Sequence, residues 1–325
     1  MIFSTGAQHW KTPPARDLQA LQNRLREERW TGLAEASSKN GKKITFLICG
    51  GEAIYAYPRA ANMNAENSVN AWESLADSQA ASFACRELSV PALRLCRIVL
   101  EHPAPAETLR VAPGRLEGLL DGWLSLAQPN LIALQWTEGE ALIMLWPESP
   151  RPVHFAASSS VNEDDFEAFQ KIFASKECEL SRHTFVSDGG AWEEYCFQRM
   201  FVSLLEAILA RYKELTGLAL LNALDRNINR VALEQKLDFS IALGLAADNM
   251  LFPNLDRLLP VCKMILEVAC EHVGVVLGQN LLRSLVHSAI SSLDPHSQRL
   301  IEKFSIDAFL GAPRTVLAGE EVSYG

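Results

Sequence analysis

The chain has 325 residues, of which 48% are hydrophobic and 21% are charged, and its formal net charge is −9 at pH 7. This composition is typical of a globular protein with two or three domains, and it disfavours broad binding to nucleic-acid phosphates, which needs a basic surface. No apolar segment is long enough to predict a membrane-spanning helix, and the first residues lack the apolar region of a signal peptide. We therefore expect a cytoplasmic protein without membrane insertion.

The first hundred residues predict a helix followed by a meander of antiparallel strands. Leucines recur at helical spacing, and two short segments rich in Gly or Asn separate runs of β-forming residues. The predicted elements are, in order, a helix on Leu18, Leu21 and Leu25, strands at 31–38, 44–49 and 53–57, a helix near Trp72, a strand at 82–88 and a helix at 91–100.

The segment 101–114 is rich in Pro and Ala and has no apolar periodicity, so it is predicted to be a linker. After it, the same order of elements returns at an offset of about 95 to 100 residues, which indicates an internal repeat. The predicted elements of this second unit are a helix at 116–124, strands at 131–136, 141–146 and 153–157, a helix at 163–173 and a strand at 177–185.

From Trp192 onward, apolar residues recur at the spacing of helices. Two segments there are weakly similar, because each has an apolar helix with a glycine (Gly217 and Gly274) before a stripe of Asn and Leu. Either they are related helix pairs that approach closely at the glycines, or they are two ordinary core helices.

These patterns together predict an α+β fold, in which two tandem helix-plus-antiparallel-meander modules precede an all-α helical domain. The predicted boundaries are a first module at 1–100, the linker at 101–114, a second module at 115–190 and the helical domain at 191–325. Residues 111–199 carry 6 basic and 14 acidic side chains. This middle part is therefore the least suited to nucleic acid or to an anionic membrane.

One stretch of the first module has a distinctive order of features. A Leu-rich helix is followed by a Thr31-Gly32 step into a strand, a polar turn, and a strand that ends at Gly50-Gly51. In this order the features resemble the PATAN family of domains in bacterial signalling proteins. The resemblance covers about residues 15–100, and a degenerate second copy lies at about 115–187, where Asn130-Leu131 replaces the Thr-Gly step.

The resemblance implies a protein–protein interaction module without catalytic residues, used in surface motility, gene regulation or development. The receiver domain that often accompanies the family is not recognisable here. We therefore predict a non-enzymatic signalling or scaffold protein with protein partners. The main alternative is a regulator of a small GTPase or ATPase that acts as a dimerising platform, so a homodimer stays open. An enzyme of unrecognised type and a nucleic-acid-binding regulator are further alternatives.

Aromatic residues are concentrated in the two modules, and Trp and Tyr dominate binding hot spots. In the first module, basic side chains lie next to them in the sequence. The candidate partner-contact patch comprises Arg26, Arg29, Trp30, Tyr55 and Tyr57. Core packing is the alternative role for these aromatic residues.

The sequence predicts no catalytic, cofactor-binding or metal-binding residues. The glycine pair at 50–51 lacks the Lys-Ser/Thr of a P-loop, and no Gly-x-Ser-x-Gly occurs. Cys178 with His183, and Cys270 with His272, are isolated pairs without the second pair that a metal site needs. The seven cysteines are expected to be buried free thiols in a reducing compartment.

Overall fold

A computed structural model describes residues 18–38, 43–57, 70, 80–102, 104–124, 129–137, 139–146, 154–157, 176–185 and 190–311. The predicted turn at 39–41 and the predicted helices near Trp72 and at 163–173 lie outside these residues. The chain divides into two units: the first comprises Met1–Tyr195 with Asn249–Leu258, and the second comprises Cys196–Asp248 with Leu259–Gly325. Both predicted modules fall in the first unit. The predicted α+β class is confirmed.

The first module has the predicted helix and meander. Its elements are α1 (Leu18–Glu27), β1 (Gly32–Ser38), β2 (Lys43–Cys49), β3 (Glu52–Tyr57), β4 (Ala80–Glu87) and α2 (Val90–Glu101). The strands form an antiparallel sheet in the order β3-β2-β1-β4. One face of this sheet packs Phe46 and Ile48 against Leu21 and Leu25 of α1, because the strand alternation and the helical spacing place these residues on facing surfaces.

The second module repeats this arrangement. Its elements are β5 (Glu107–Val111), α3 (Leu116–Leu124), β6 (Asn130–Trp136), β7 (Gly139–Leu145), β8 (His154–Ala157) and β9 (Cys178–His183). The sheet order is β5-β9-β6-β7-β8, which is the order of the first sheet with β5 added beside β9. Leu116 and Leu120 of α3 pack on Ile132 and Ile143, as α1 packs on its own sheet. The predicted tandem repeat is confirmed.

Strand β5 lies inside the segment that the sequence predicts to be a linker. It pairs antiparallel with β9 over five residues, from Glu107 opposite Arg182 to Val111 opposite Cys178. The segment is an edge strand on which Val111 is the buried position, so its pattern of apolar residues is too sparse to predict a strand. The Pro and Ala around it strengthen the appearance of a linker.

Helix α2 is buried nearly all round because it contacts strands of both sheets: β1 and β2 of the first, and β7 and β8 of the second. It begins with Ser89 as N-cap, whose side chain accepts a hydrogen bond from the N–H of Ala92. The two modules also meet through an ion pair, in which Arg86 of β4 lies 2.9 Å from the buried Glu140 of β7. Glu140 is the second residue of β7, one position before the strand that the sequence predicts at 141–146.

The remaining elements are mostly helical, as predicted. They are α4 (Gly190–Thr216), α5 (Leu218–Glu234), β10 (Phe239–Ala242), β11 (Leu245–Asp248), α6 (Leu255–Leu277), α7 (Gln279–Ser291), α8 (Pro295–Lys303) and α9 (Ile306–Gly311). The antiparallel hairpin of β10 and β11 was not predicted, because each strand has four residues and is too short to show a clear alternation. In the described part of the chain, no helix is long and apolar enough to cross a membrane.

The second unit contains an internal repeat with a register that the sequence did not predict. Gly217 joins α4 to α5, and Gly278 joins α6 to α7 at the position 61 residues later (217 to 278); both have a φ of +82°. Gly274, which the sequence suggested as the counterpart of Gly217, lies inside α6. A Cβ there would lie 2.9 Å from Gln279 and 3.3 Å from Leu282, so Gly274 lets α7 pack closely on α6.

The same offset relates the buried and the exposed positions around the two glycines. Buried leucines at 221 and 224 correspond to buried leucines at 282 and 285. Exposed Leu215 and Leu220 correspond to exposed Val276 and Leu281. The two helix–glycine–helix turns are therefore equivalent in packing as well as in backbone geometry.

Candidate interaction surface

The structure divides the predicted contact patch between the two faces of the first sheet. Tyr55 pairs with Leu47, and its buried ring lies 5.0 Å from the guanidinium of Arg97 on α2. Tyr57 lies on the same face, because it is two residues further along the same strand. Trp30 packs instead on the opposite face with α1. The sheet therefore does not bring the tyrosines together with Trp30.

The remaining patch residues form the corner at the end of α1. Arg29 has a φ of +50°, the N–H of Trp30 donates to the carbonyl of Leu25, and the N–H of Arg29 donates to that of Arg26. This is a Schellman motif, in which glycine usually occupies the position of Arg29. Arg26 forms a 3.3 Å ion pair with Glu52 across the corner. Arg26, Arg29 and Trp30 are therefore neighbours on one surface.

A buried charged cluster lies elsewhere in the first unit, around Arg97 of α2. The guanidinium of Arg97 binds both oxygens of Glu194 at 2.8 and 3.0 Å, and its Nε lies 3.3 Å from Glu101. It also donates to the carbonyls of Phe252 and Pro253 at 2.9 and 3.0 Å. These contacts use all five N–H donors of the arginine, so the cluster fixes the chain at 252–253 to α2.

The carboxylates of this cluster have structural partners. Glu101 accepts a hydrogen bond of 2.7 Å from the N–H of Ala191 in the first turn of α4, where a negative charge is favourable. Burial raises the pKa of Glu194 to about 7, against the attraction of the adjacent Arg97, which favours the carboxylate. The fully hydrogen-bonded geometry indicates a structural clamp, because every donor of Arg97 is engaged by the protein itself.

The seven cysteines, all of them in the described residues, form no disulfide bonds, and all except the half-buried Cys49 are buried, as predicted. Burial raises the pKa of Cys85 and of Cys270 to about 12 and that of Cys178 to about 11, so these thiols are protonated at neutral pH and are weak nucleophiles. In the described residues, no group of three or more His, Cys, Asp or Glu side chains is arranged to hold a metal ion. His183 instead places Nδ1 3.2 Å from the carbonyl of His102.

The described part of the second unit exposes a set of apolar side chains around the two helix–glycine–helix turns. They are exposed by between 39% and 87%, which is unusual for residues next to a helix core. We call them the junction patch; its members are Leu215, Leu218, Leu220, Val275, Val276 and Leu281.

The two halves of the junction patch lie at the same end of the second unit. The ring of Tyr212, near the end of α4, meets the ring of His272, near the end of α6, edge to face with centroids 6.0 Å apart. Gly217 and Gly278 follow these residues by five and six positions, about 8 to 9 Å along a helix. Both helices also begin at the Arg97 cluster, which binds Glu194 near the start of α4 and the carbonyls at 252–253 just before α6. The two helices therefore run in the same direction, and the apolar residues around both glycines lie at the same end.

The hairpin of β10 and β11 packs against α4 and α5, the two helices that Gly217 joins. A Cβ on Gly244 at its tip would lie 3.5 Å from both Leu209 of α4 and Leu221 of α5. Two further exposed leucines, Leu243 and Leu245, are at this tip. Sequence reasoning missed the whole apolar end, because exposed and buried leucines look alike in an apolar helical sequence; the glycines before Leu218 and Gln279 were the available signal.

No family model matches this chain, and neither the curated proteins nor the solved structures include a significant match to it.

Proposed function

We propose that this chain is a non-enzymatic signalling or scaffold protein whose role is to bind other proteins. The observation that carries the proposal is the junction patch, six exposed apolar side chains gathered at one end of two equivalent helix pairs. Exposed apolar side chains that cluster, unlike those scattered singly over a surface, commonly mark interaction sites. A protein partner is the occupant for which such a surface is best suited.

The first module supports the signalling part of the proposal. The features that resemble the PATAN family, the Thr31-Gly32 step and the Gly50-Gly51 turn, contact each other: the N–H of Gly50 donates to the Thr31 hydroxyl at 3.1 Å. A Cβ on Gly32 would overlap the carbonyl oxygen of Arg86 and the Trp30 ring. These residues thus have a shared structural reason to occur together, and on that basis a PATAN-like module in bacterial motility or gene regulation is proposed.

The proposal is tested by quantitative affinity capture with the tagged full-length chain in its native lysate. Wild type is compared with a variant that carries Leu215→Gln, Leu220→Gln and Leu281→Gln, and with Leu233→Gln, which changes a leucine that is 78% exposed outside the junction patch. We expect a partner that wild type and Leu233→Gln recover and the triple variant loses. Equal recovery by all three, or recovery of no protein by wild type, overturns the proposal.

A further inference from the structure

The hairpin of β10 and β11 has one buried and one exposed face. Phe239 and Ile241 point inward, and the Phe239 ring lies 5.9 Å from that of Phe201 on α4. Alternate positions point outward and are exposed, and they are small or apolar. These outward residues are Ser240, Ala242, Leu245 and Ala247.

The tip of the hairpin holds a leucine in an unfavourable conformation. Leu243 has a φ of +56° and Gly244 a φ of +81°, which are the signs required at the two central positions of a two-residue hairpin turn. Asn, Asp or Gly is preferred at the position of Leu243, because a positive φ is disfavoured for larger side chains. Leu243 is nevertheless 61% exposed and Leu245 is 68% exposed. The fold therefore keeps a strained leucine where it makes little contact with its own core.

One backbone position on each edge of this hairpin is bound by a polar side chain of a helix. Asn229 of α5 accepts from the N–H of Ile241 at 2.7 Å and donates to its carbonyl at 2.8 Å. Glu206 of α4 accepts from the N–H of Ala246 on the other strand at 2.9 Å. These groups are not available to an added strand, and covered edges of this kind prevent edge-to-edge pairing.

The size of the exposed face limits what can occupy it. Each strand has four residues, so the face is about 13 Å long. A stable dimer needs about 800 Å² from each partner, which is far more than this face offers, so a second copy is a poor fit. A length of about 13 Å matches roughly two turns of an α-helix. An amphipathic helix, which presents apolar residues at i, i+3, i+4 and i+7, fits both the length and the closed edges.

We propose that the outward face of the β10–β11 hairpin, with Leu243 and Leu245, binds an amphipathic helix of a partner protein through side-chain contacts and not by strand addition. This inference rests on the proposed function, because it names the kind of partner segment that one part of the chain binds. Leu243 is then kept at the turn for its contact with the partner, where a residue chosen for the turn alone would be Asn or Gly.

The test uses the full-length chain with leucine methyl groups labelled for NMR and four synthetic peptides. The first peptide is an 18-residue amphipathic helix with a leucine stripe, and the second is a scrambled sequence of the same composition. The third is an alternating Thr-Val strand peptide, and the fourth has the sequence of residues 312–325 of this chain. Binding is measured by fluorescence anisotropy and by shifts of the Leu243 and Leu245 methyl signals.

We expect only the stripe peptide to shift these methyl signals. Its affinity for the Leu243→Asn and Leu245→Ser variants should be at least tenfold weaker than for wild type, and its affinity for the control variant Leu233→Gln should be unchanged. Leu243→Asn is the sharpest variant, because Asn tolerates a positive φ, so the melting temperature should be equal or higher while binding falls. Binding of the strand peptide, of the 312–325 peptide or of a second copy at this face overturns the inference, as does unchanged affinity in both variants or no binding by the stripe peptide. Shifts confined to Leu218 and Leu220 also overturn it, but they leave the proposed function in place.

Discussion

The backbone N–H of Gly51 donates a hydrogen bond of 2.7 Å to the carbonyl oxygen of Trp30. This bond joins the turn between β2 and β3 to the end of α1. Gly51 has a φ of +86°, and a Cβ at this position would lie 2.5 Å from the Cα of Arg26 and 2.7 Å from the carbonyl oxygen of Leu25. The close approach of the helix and the turn therefore depends on the missing side chain.

We expect Gly51→Ala to destabilise the chain by at least twice as much as Gly50→Ala. Both glycines have a positive φ, which costs alanine about 1 kcal/mol. Only Gly51 adds a collision with backbone atoms, because nothing lies within 4 Å of a Cβ on Gly50. Urea unfolding of the two variants measures the difference. Equal losses of unfolding free energy would show that the helix moves away without penalty.

Arg29 provides a test that separates stability from binding. Because Arg29 has a φ of +50° at the end of α1, Arg29→Gly should raise the unfolding free energy by several tenths to about 1 kcal/mol. Arg24→Gly is the matched control, since it lies inside the helix and should lower stability by about 1 kcal/mol. If Arg29 also contacts a partner, Arg29→Gly weakens partner capture although the protein is more stable. Unchanged capture removes Arg29 from the interaction surface.

The clamp around Arg97 should be intolerant of a conservative change. Arg97→Lys keeps the charge but cannot bind Glu194 bidentately or reach both carbonyls at 252–253, so we expect a loss of roughly 3 to 5 kcal/mol. Arg230→Lys changes an exposed arginine that pairs with Glu234 at 2.7 Å and should alter stability by less than about 1 kcal/mol. Thermal and urea unfolding compare them, and a similar small effect for both would contradict the role given to Arg97.

Asp225 predicts a specific pH dependence for the second unit. Burial raises the pKa of Asp225, although the N–H groups of Gly244 and Leu243 lower it in part. A carboxyl whose pKa is higher in the folded state contributes stability below its unfolded pKa of about 3.9, and this contribution is lost as the pH rises through the folded value. The stability of wild type relative to Asp225→Asn should therefore fall from about pH 4 upward. Urea unfolding of both proteins from about pH 4 upward measures this fall. A difference in unfolding free energy that stays constant with pH would contradict the raised pKa of Asp225.

Much of the fold of the first unit could be predicted from the sequence. Leucine spacing located α1, and short β-forming runs between turn residues located β1 to β3, because these signals are local. Strand β5 could not be found in this way, since its pairing partner β9 lies about seventy residues away and its own pattern is sparse. The hairpin of β10 and β11 is stabilised mainly by side chains of α4 and α5, which a local pattern does not reveal.

The candidate sites were harder to predict than the fold. Tyr55 and Trp30 are close in the sequence of the first module, but strand alternation places them on opposite faces of the sheet. The Arg97 clamp joins Arg97 to residues that are 97 and more than 150 positions away in the sequence. Its one local sign is that Arg94 and Arg97 occur in an otherwise apolar helix. Exposure of the junction patch depends on tertiary packing, and in the sequence only Gly217 and Gly278 mark the turns around which it lies.

The central claim is that the apolar end of the second unit is an interface for a protein partner. Hydrogen–deuterium exchange of the full-length chain, with and without the partner that wild type captures, tests it directly. We predict slower exchange in residues 213–224 and 274–285 when the partner is present, and no change in the buried helix segment 93–99. Protection confined to residues 18–57, or no partner-dependent protection at either junction, would contradict the claim.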